Sequence, residues 1–507
     1  MSIETLCNSP RLKQWTAHIL LALSVCMMAT YWLHLKADPP SQIGVFHLHD
    51  PSGDRYTDEG WAVAAAERAA LLGHWRILGD LNFAVDAPLW PILLYLPFKL
   101  LGVSVALARG IAVGFYAGTI LLSYCMVRRL DTPLNAAWVA AILSTNHLGF
   151  VFGRMALFEA VWTFFVVASL LLAIHAAKSG SSGLALVSGM VLSLGILTKL
   201  TAVFALIPLL TVFWTELGVS RRFWRMAAAA VSGCVILPLL HRIAIIKWFE
   251  SDHLYYIALN IAAARVHSVR GLLHNVLSNG YHLWCVGLFL FVCFACGVIL
   301  MLVRFVPWSD ALTRLALVWF AADFAISLTK SYFPPRYCFS FLVPVTILTV
   351  KCASAAVGRN RLIGGGLYAL LFLSLATDMA VIVSNLTRPS YTVAAFADAV
   401  RAQVSQGPPA SCAFMGNFAN TLTLFNGLPS ENDHYGTSTM EQRIRHCAPA
   451  VYITKGLPSP YDQAQFQATG RSLQFVRSFD VLGNYASGQQ VYLYKVLAPA
   501  GNRRYTR

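Results

Sequence analysis

Charged side chains are scarce in this sequence. Asp, Glu, Lys and Arg make up 12% of the 507 residues, whereas apolar residues make up 57%. A soluble domain carries about 25% charged residues, so this composition excludes a chain that folds mainly against water. Apolar runs of about 20 residues, the length of a helix that crosses a bilayer, recur along the chain. The lipid bilayer is therefore the first predicted partner.

Motifs of several other functions are also absent. No basic run with interleaved aromatic residues occurs in a polar segment, so the net charge of +15 does not indicate nucleic acid binding. Lys and Arg gather instead in the cytoplasmic loops of membrane proteins. The 11 cysteines include no Cys-x-x-Cys pair with a zinc-like partner, and there is no Asp-x-Asp motif or His cluster. We therefore predict no metal site and no cofactor.

Eleven apolar segments predict transmembrane helices. Arg11 and Lys13 precede the first one, which is too long for the core of a signal peptide, so we expect it to be retained. The predicted fold is an α-helical polytopic membrane protein with about eleven spans. The spans are predicted to begin near Gln14, Ser104, Leu134, Met155, Leu184, Thr201, Phe223, Trp284, Leu312, Tyr337 and Leu362.

The basic residues fix the expected orientation. If the N-terminus is cytoplasmic, the short outer connections carry only Arg154, Lys199, Lys330 and Arg336. The positive-inside rule then predicts a cytoplasmic N-terminus and an extracytoplasmic C-terminus. The membrane that we expect the chain to span is the inner membrane of the cell. The inner segments would carry Arg11, Lys13, Arg128, Arg129, Lys178, Arg221, Arg222, Arg225, Arg304, Arg314, Lys351, Arg359 and Arg361.

Two domains are predicted. Residues 1–388 form the membrane domain, with one long outer loop at 36–103 (the first loop) and another at 247–283. Residues 389–507 are more polar and predict a small extracytoplasmic α/β domain. Its predicted elements are a helix at 391–404 and strands at 412–415, 450–454, 473–476 and 491–496. Cys412 and Cys447 are the only cysteines there, and spacing alone leaves open whether they form a disulfide.

The first loop contains two helical segments. Thr57 is a good N-cap for an Ala-rich helix, and Trp61, Ala65 and Leu72 fall on one face of it. This pattern predicts an amphipathic helix on the membrane surface. A second apolar segment begins at Pro88, and its three prolines predict a short interfacial or re-entrant helix. A loop that returns twice to the bilayer is suited to shaping a cavity.

Asp58 and Glu59 begin the first of these helices and are the candidate catalytic residues. In one interpretation they only complement the helix dipole, as acids in a first turn do. In the other, a carboxylate at the mouth of a cavity acts as general base toward a hydroxyl or amine acceptor. The local sequence leaves both interpretations open.

Ionisable residues inside apolar segments are costly and mark functional cavities. On the predicted topology, Arg109, Glu159, Asp323 and Asp378, with the polar pair Asn146 and His147, lie in the outer halves of their spans. This placement favours an enzyme open to the outside over a transporter, which concentrates charges near the midplane. Arg154 and Glu159 form either part of the site or a structural pair. Lys199 and Lys330 either bind a ligand or extend their ends to the interface, and Asp378 has no local partner.

Four features resemble a GT-C glycosyltransferase of the protein O-mannosyltransferase or aminoarabinose transferase type. They are YTDEGW with Asp58 and Glu59, PLWP at 88–91, GRMALFE with Arg154 and Glu159, and LTKLTAVFALIP with Lys199 combined with YFPPRY at 332–337. The resemblance covers residues 14–385 and rests on the order and spacing of these features.

The resemblance implies a transferase that uses a polyprenyl-phosphate-linked sugar donor. Asp58 would activate the acceptor for inverting attack, with Glu59 as a supporting ligand, although acidic pairs bind divalent ions in some related enzymes. Arg154, Lys199 and Arg336 would hold the donor phosphate, since charge-assisted contacts to phosphate suit Arg and Lys. Glu159 and Tyr337 join the predicted substrate-binding set through the same motifs.

One departure concerns the first loop. Aminoarabinose transferases carry a Lys in a phosphate-contact role shortly before the Pro-Leu of this loop, where Asp86 stands here. Asp86 either holds a sugar hydroxyl or is a turn residue before Pro88. Large sugar-recognition insertions are absent, which favours a bacterial envelope enzyme. Sugar and acceptor (lipid, glycan or protein) stay open, and a transporter or flippase of lipid-linked sugars is the alternative function.

Overall fold

The computed structural model describes residues 9–40, 42–43, 48–49, 58–76, 79, 82–263, 268–330, 333–404, 412–416, 418–433, 436–482 and 490–497. Helices dominate the described residues. In chain order they are α1 (Pro10–Thr30), α2 (Asp58–Leu72), α3 (Leu89–Leu101), α4 (Val105–Leu130), α5 (Pro133–Thr145), α6 (His147–Phe152), α7 (Phe158–Ser179), α8 (Ser182–Thr198), α9 (Leu206–Leu217), α10 (Arg221–Ala244), α11 (Glu250–Ala263), α12 (Val269–His282), α13 (Leu288–Leu302), α14 (Ala311–Leu328), α15 (Leu342–Arg359), α16 (Arg361–Thr387), α17 (Thr392–Val404), α18 (Ala419–Asn426), α19 (Met440–Cys447) and α20 (Pro460–Ala468).

The apolar helices confirm a multi-pass membrane protein. Within the described residues, 8 helices are long and apolar enough to cross a bilayer. Each of the eleven predicted spans coincides with a helix, and α9 reaches the length of a span only together with the 3-10 turn Leu200–Ala205 that precedes it. Helices α5, α8 and α13 are shorter, at 13, 17 and 15 residues. A helix rises 1.5 Å per residue, so these three cover less than the full hydrocarbon thickness of about 30 Å. The number eleven therefore stays a prediction.

Helix α2 occupies a different environment from the one predicted. Its helical character is as expected, although Thr57, the predicted N-cap, lies outside the described residues. The surface position is wrong, because α2 is buried from Ala62 to Ala69 and packs against α3 and α18. Five alanines among those eight residues explain this, since small side chains let neighbouring helices approach from several directions.

Helix α3 fits the predicted interfacial helix. Trp90, Leu94 and Phe98 are buried on one face, whereas Leu96 and Leu100 are exposed on the other. Apolar side chains thus cover both faces. One face packs on the protein, and the other has the composition of a surface that meets lipid.

The C-terminal segment contains a five-stranded mixed sheet with the strand order β4-β3-β5-β7-β6. A small hairpin in the first loop supplies the two preceding strands. Four strands were predicted; β4 and helices α18 to α20 were not. The strands are β1 (Gln42–Ile43), β2 (Leu48–His49), β3 (Phe414–Gly416), β4 (Ser430–Glu431), β5 (Val451–Lys455), β6 (Ser472–Asp480) and β7 (Gln490–Leu497).

A disulfide joins Cys412, just before β3, to Cys447 at the end of α19. The sequence had left this pairing open. The bond closes a segment with a sequence separation of 35 residues and ties α19 to the edge of the sheet.

The C-terminal segment contacts the first loop directly beside Asp58 and Glu59. A Cβ atom on Gly60 would lie 2.1 Å from the backbone nitrogen of Thr421 in α18. Only glycine permits this approach, because real Cβ contacts are never so short. Asp38, at the start of the first loop, accepts hydrogen bonds from the backbone nitrogens of Thr392 (2.8 Å) and Val393 (3.0 Å) at the start of α17. These contacts fix α2 against the C-terminal segment.

Candidate active site

Four helix ends meet at one cavity. Asp58 begins α2, and Glu159 lies in the first turn of α7. Lys199 is in extended conformation between α8 and the 3-10 turn Leu200–Ala205. Arg336 belongs to a second 3-10 turn, Pro335–Phe341, whose fixed proline φ favours its start. Side chains from helix ends can point into the space between helices without breaking a helix, which explains why the site residues lie there.

The four charged side chains alternate in sign along a connected chain. Arg336 Nη1 donates to Asp58 Oδ2. Arg336 Nε also lies 3.7 Å from Glu159 Oε1, and Lys199 Nζ donates to the same oxygen at 2.7 Å. Each cation therefore has a carboxylate partner, and Glu159 is shared between two of them.

Tyr337 forms the centre of the cationic part of the site. The centroid of its ring is 4.2 Å from Lys199 Nζ, 5.0 Å from Lys330 Nζ and 5.2 Å from Arg336 Cζ. All three distances are within the range at which a cation is attracted to an aromatic face. Three positive charges are thus gathered around one ring, whose electron density offsets part of their mutual repulsion.

These residues line a cleft of about 450 Å³, which we call the charged cavity. The remaining lining combines aromatic and small polar groups. The lining residues are Glu159, Trp162, Lys199, Thr201, Asp323, Ile326, Ser327, Lys330, Phe333, Arg336, Tyr337, Ser340 and Phe341.

Glu59 has a different environment from its neighbour Asp58. Its carboxylate accepts two hydrogen bonds from Arg109, Nε to Oε1 and Nη2 to Oε2, both at 2.7 Å. The backbone nitrogen of Ala156 also donates to Oε1 at 2.8 Å, and the Glu59 side chain is fully buried. The remaining Arg109 nitrogen donates to the carbonyl oxygens of Leu35 (2.8 Å) and Ala37 (2.6 Å). This saturated network joins α2 to α4 and to the loop before α7.

Arg154 lies away from the charged cavity. It borders a smaller cleft with Asp38, Arg109 and Phe150, its guanidinium lies 4.4 Å from the Phe150 ring centroid, and it donates to the carbonyl oxygen of Leu33. Of the two interpretations left open for Arg154 and Glu159, the structural pair is not formed, because Glu159 is bonded to Lys199. Five residues separate Arg154 from Glu159, but the non-helical turn between α6 and α7 directs the two side chains differently.

Two other acids find partners that sequence spacing did not reveal. Asp86 follows the 3-10 turn Phe83–Val85 and accepts a hydrogen bond from His253 Nδ1 at 2.6 Å, so it is held to α11. Burial raises the pKa of Asp86, and the hydrogen bond to His253 opposes that rise. Asp378 in α16 lies 2.6 Å from His147 Nδ1 and accepts from Asn146 at 3.3 Å.

Lys330 and Asp323 are cavity residues that the predicted site did not include. For Lys330 the sequence left ligand binding and extension toward the interface open, and the predicted site did not include it. Its position at the outer end of a predicted span, one turn before Phe333-Pro334, was the one available signal. Asp323 was recognised as a charge within a span, but nothing in the sequence placed it on the same cavity as Lys330.

The described residues contain one candidate group of metal ligands. The one group of three His, Cys, Asp or Glu side chains close enough to share an ion there is Cys412, Glu431 and Cys447. Both sulfur atoms of that group are used in the disulfide, so it lacks the thiolates that a metal would need. Asp58 and Glu59 do not form such a group, since their carboxylates point to Arg336 and Arg109 respectively.

The arrangement places a carboxylate, Asp58, against one of three cations that line a cavity. Packed among long apolar helices, with a small sheet domain covering the first loop, it matches the architecture of the GT-C membrane proteins. No protein-family model matches the sequence, and no curated protein is similar to it.

The chain is, however, similar to several solved structures. The chain is similar to ArnT from Cupriavidus metallidurans bound to undecaprenyl phosphate, with a TM-score of 0.59 and 14% identity over 94% of this chain and 97% of that one. It is also similar to the oligosaccharyltransferase AglB from Archaeoglobus fulgidus in complex with an inhibitory peptide and a dolichol-phosphate, with a TM-score of 0.54 and 10% identity over 88% of this chain and 70% of that one. Both are GT-C glycosyltransferases. The predicted GT-C-like fold is confirmed.

Proposed function

We propose that this protein is a membrane glycosyltransferase that moves a sugar from a polyprenyl-phosphate donor to an acceptor of the cell envelope. The observation that carries the proposal is that the Asp58 carboxylate is bonded to Arg336, a cation that lines the charged cavity together with Lys199 and Lys330. A glycosyl transfer from a lipid phosphate needs both groups: a base for the nucleophile and positive charge for the leaving phosphate.

The cations supply the phosphate site. Glu159 holds Lys199 and lies near Arg336, so both cations are kept in place before a ligand arrives. A donor phosphate brings further negative charge to a cavity that already contains three cations within 5.2 Å of one ring centroid. Because the surroundings are buried, such charge-assisted contacts are stronger here than in water.

Asp58 acts as the general base in the proposed reaction. Its side chain is 19% exposed, so the carboxylate reaches the mouth of the cavity. The acceptor oxygen or nitrogen loses a proton to Asp58 as it attacks the anomeric carbon of the donor sugar. The bond from that carbon to the phosphate oxygen breaks, and its electron pair leaves with polyprenyl phosphate. Arg336, Lys199 and Lys330 stabilise the charge on this leaving group, and the configuration at the sugar inverts.

In this proposal Glu59 and Arg154 are positioning residues. Glu59 fixes the first turn of α2 through Arg109, which orients its neighbour Asp58. Arg154 borders the neighbouring cleft beside Arg109 and is therefore assigned to the side from which the acceptor approaches. These assignments replace the predicted direct contacts of Glu59 with the ligand and of Arg154 with the donor phosphate.

The proposed location is the inner membrane, with the N-terminus in the cytoplasm and the C-terminal segment outside. Two observations support it. The basic residues alternate between loops as the positive-inside rule requires. The Cys412–Cys447 disulfide belongs to an oxidising compartment, whereas cytosolic proteins keep such thiols reduced. The charged cavity then opens on the outer side, where envelope acceptors are found.

The two similar structures support the donor class. ArnT was solved bound to undecaprenyl phosphate and AglB in complex with a dolichol-phosphate. Binding of undecaprenyl phosphate to the purified protein in detergent is the direct test. We expect saturable binding that is lost with Lys199→Met and retained with Lys178→Met, a lysine at the far end of α7 that donates to the Arg129 carbonyl oxygen. Equal binding of undecaprenol and undecaprenyl phosphate would overturn the proposal, because the cations would then play no part.

The sugar and the acceptor require a separate experiment. Mass spectrometry of envelope lipids, glycans and proteins from a deletion strain should reveal one modification that disappears. Re-expression of the wild type should restore it, and Asp58→Asn should not. Restoration by Asp58→Asn would rule out the general-base role.

A further inference from the structure

Helix α12 has an inverted pattern of exposure. In its sequence LLHNVL, the apolar residues Leu272, Leu273 and Leu277 are 40%, 60% and 75% exposed, whereas the amide Asn275 is only 6% exposed. A helix in water buries its apolar residues instead. Exposed leucines around one buried amide are typical of a helix whose free surface meets lipid, so the buried polar group needs a specific explanation.

Asn275 binds the C-terminal end of helix α14. Its side-chain nitrogen donates to the carbonyl oxygens of Leu328 at 2.8 Å and Lys330 at 3.0 Å. Both hydrogens of the amide group are thereby used. The last carbonyl groups of a helix have no partner within that helix, so Asn275 acts as a side-chain cap supplied by another helix.

The capped segment carries one of the three cavity cations. Lys330 lines the charged cavity, and its Nζ is 5.0 Å from the Tyr337 ring centroid. Lys199 and Arg336 are each bonded to a carboxylate. Among the described residues, no carboxylate forms a salt bridge with Lys330. Lys330 is thus the cavity cation whose charge is least offset, and its backbone is held by Asn275.

We propose that Asn275 is a positioning residue that sets Lys330 against the phosphate of the lipid-linked donor. The inference rests on the proposed function and deepens it by naming the residue that positions Lys330 within the phosphate site. In this arrangement the lipid-facing helix α12 supports one wall of the charged cavity. A residue outside the cavity thereby controls how well the cavity binds phosphate.

A double-mutant cycle tests the inference. Binding of undecaprenyl phosphate to the full-length protein in detergent is measured for wild type, Asn275→Leu, Lys330→Met and the double variant. We expect each single change to weaken binding about tenfold or more, because Lys330→Met removes a charge-assisted contact to phosphate and Asn275→Leu releases the backbone that holds Lys330. In the Lys330→Met background, Asn275→Leu should cause no further loss, because its effect passes through Lys330. His274→Ala, the exposed neighbour on α12, is the matched control and should bind as wild type.

Other outcomes of this experiment would overturn either the inference or the proposed function. Wild-type binding by Asn275→Leu, or an equal further loss in the Lys330→Met background, would overturn the inference while leaving the proposed function intact. A wild type that binds undecaprenyl phosphate no better than undecaprenol would overturn the proposed function itself. Asn275→Asp, which keeps the size and loses both donors, repeats the cycle if the leucine variant does not fold. It should show the same dependence on Lys330.

Discussion

Asp58 and Glu59 are neighbours in sequence and opposites in environment. The Glu59 side chain is fully buried, and Arg109 and the Ala156 backbone occupy its carboxylate. The Asp58 side chain is 19% exposed and is bonded to Arg336, which lines the charged cavity. Successive residues of a helix point about 100° apart, so one turn directs one acid into the protein and the other toward a ligand. The difference separates a structural carboxylate from a candidate base within a single dipeptide.

The largest expected effect is on chemistry at Asp58. Asp58→Asn keeps the size of the side chain and removes the proton acceptor, so the rate of sugar transfer should fall by about 10²–10⁴. Single-turnover transfer, measured with saturating donor and acceptor, reports this step. Glu67→Gln is the matched control, because Glu67 is a buried carboxyl of the same helix, away from the cavity, and burial raises its pKa. A full rate for Asp58→Asn would place the base elsewhere.

Glu59→Gln should lower the thermal stability of the protein and have little effect on the rate of sugar transfer. It leaves the Arg109 guanidinium buried without its anion, and breaking a buried ion pair on one side costs about 3–5 kcal/mol. Thermal unfolding in detergent should show this loss, while the rate per folded molecule stays close to wild type. Normal thermal stability combined with a lost rate would mean that Glu59 belongs to the chemistry, and the contrast with Asp58 would fail.

Asp433 provides a third carboxylate, buried without an ion-pair partner among the described residues. Burial raises its pKa to about 7, and the Tyr452 hydroxyl donates to it at 2.9 Å. Since the pKa of an unfolded Asp is about 3.9, the folded state holds the proton more tightly. Stability should therefore be highest below about pH 4, fall by about 1.4 kcal/mol per unit up to about pH 7, and level off above.

Hydrogen exchange at β5 in the full-length protein, corrected for intrinsic rates, measures this pH dependence. Asp433→Asn should remove it, whereas Asp398→Asn, at an exposed position of α17, should not. An unchanged pH profile in Asp433→Asn would assign the titration to another group.

The smallest expected effect tests the contact between α2 and the C-terminal segment. Gly60→Ala places a Cβ against the Thr421 backbone, so α18 must shift, at a cost of about 1–3 kcal/mol. We expect a partial loss of transfer rate and of thermal stability, both smaller than for the carboxylate variants. Gly114→Ala is the control, because a Cβ there has no neighbour within 4 Å. Wild-type behaviour of Gly60→Ala would mean that α18 is free to move without consequence for Asp58.

The sequence predicted the helices better than it predicted which side chains pair with each other. Apolar runs identified the helices, since burial against lipid is a property of each segment alone. The grouping of Lys199, Arg336 and Tyr337 in one site was implied by the resemblance of their motifs to GT-C glycosyltransferases, and the three residues line one cavity. The pairing of Glu159 with Lys199, and of Asp378 with His147 at a separation of 231 residues, did not follow. Such pairs depend on which helices pack together, and a hydropathy pattern contains no record of that.

The contact at Gly60 has a consequence for the order in which this protein matures. Helix α18, which presses on the turn carrying Asp58, comes about 360 residues later in the chain. It lies in the segment that the Cys412–Cys447 bond closes, and closing a segment of that length stabilises the folded state by about 4 kcal/mol. On the proposed topology, the first loop receives this support only after the C-terminal segment has crossed the membrane and formed its disulfide. The helices and turns that carry Lys199, Lys330 and Arg336 precede that segment in the chain, so the proposed base would be secured last.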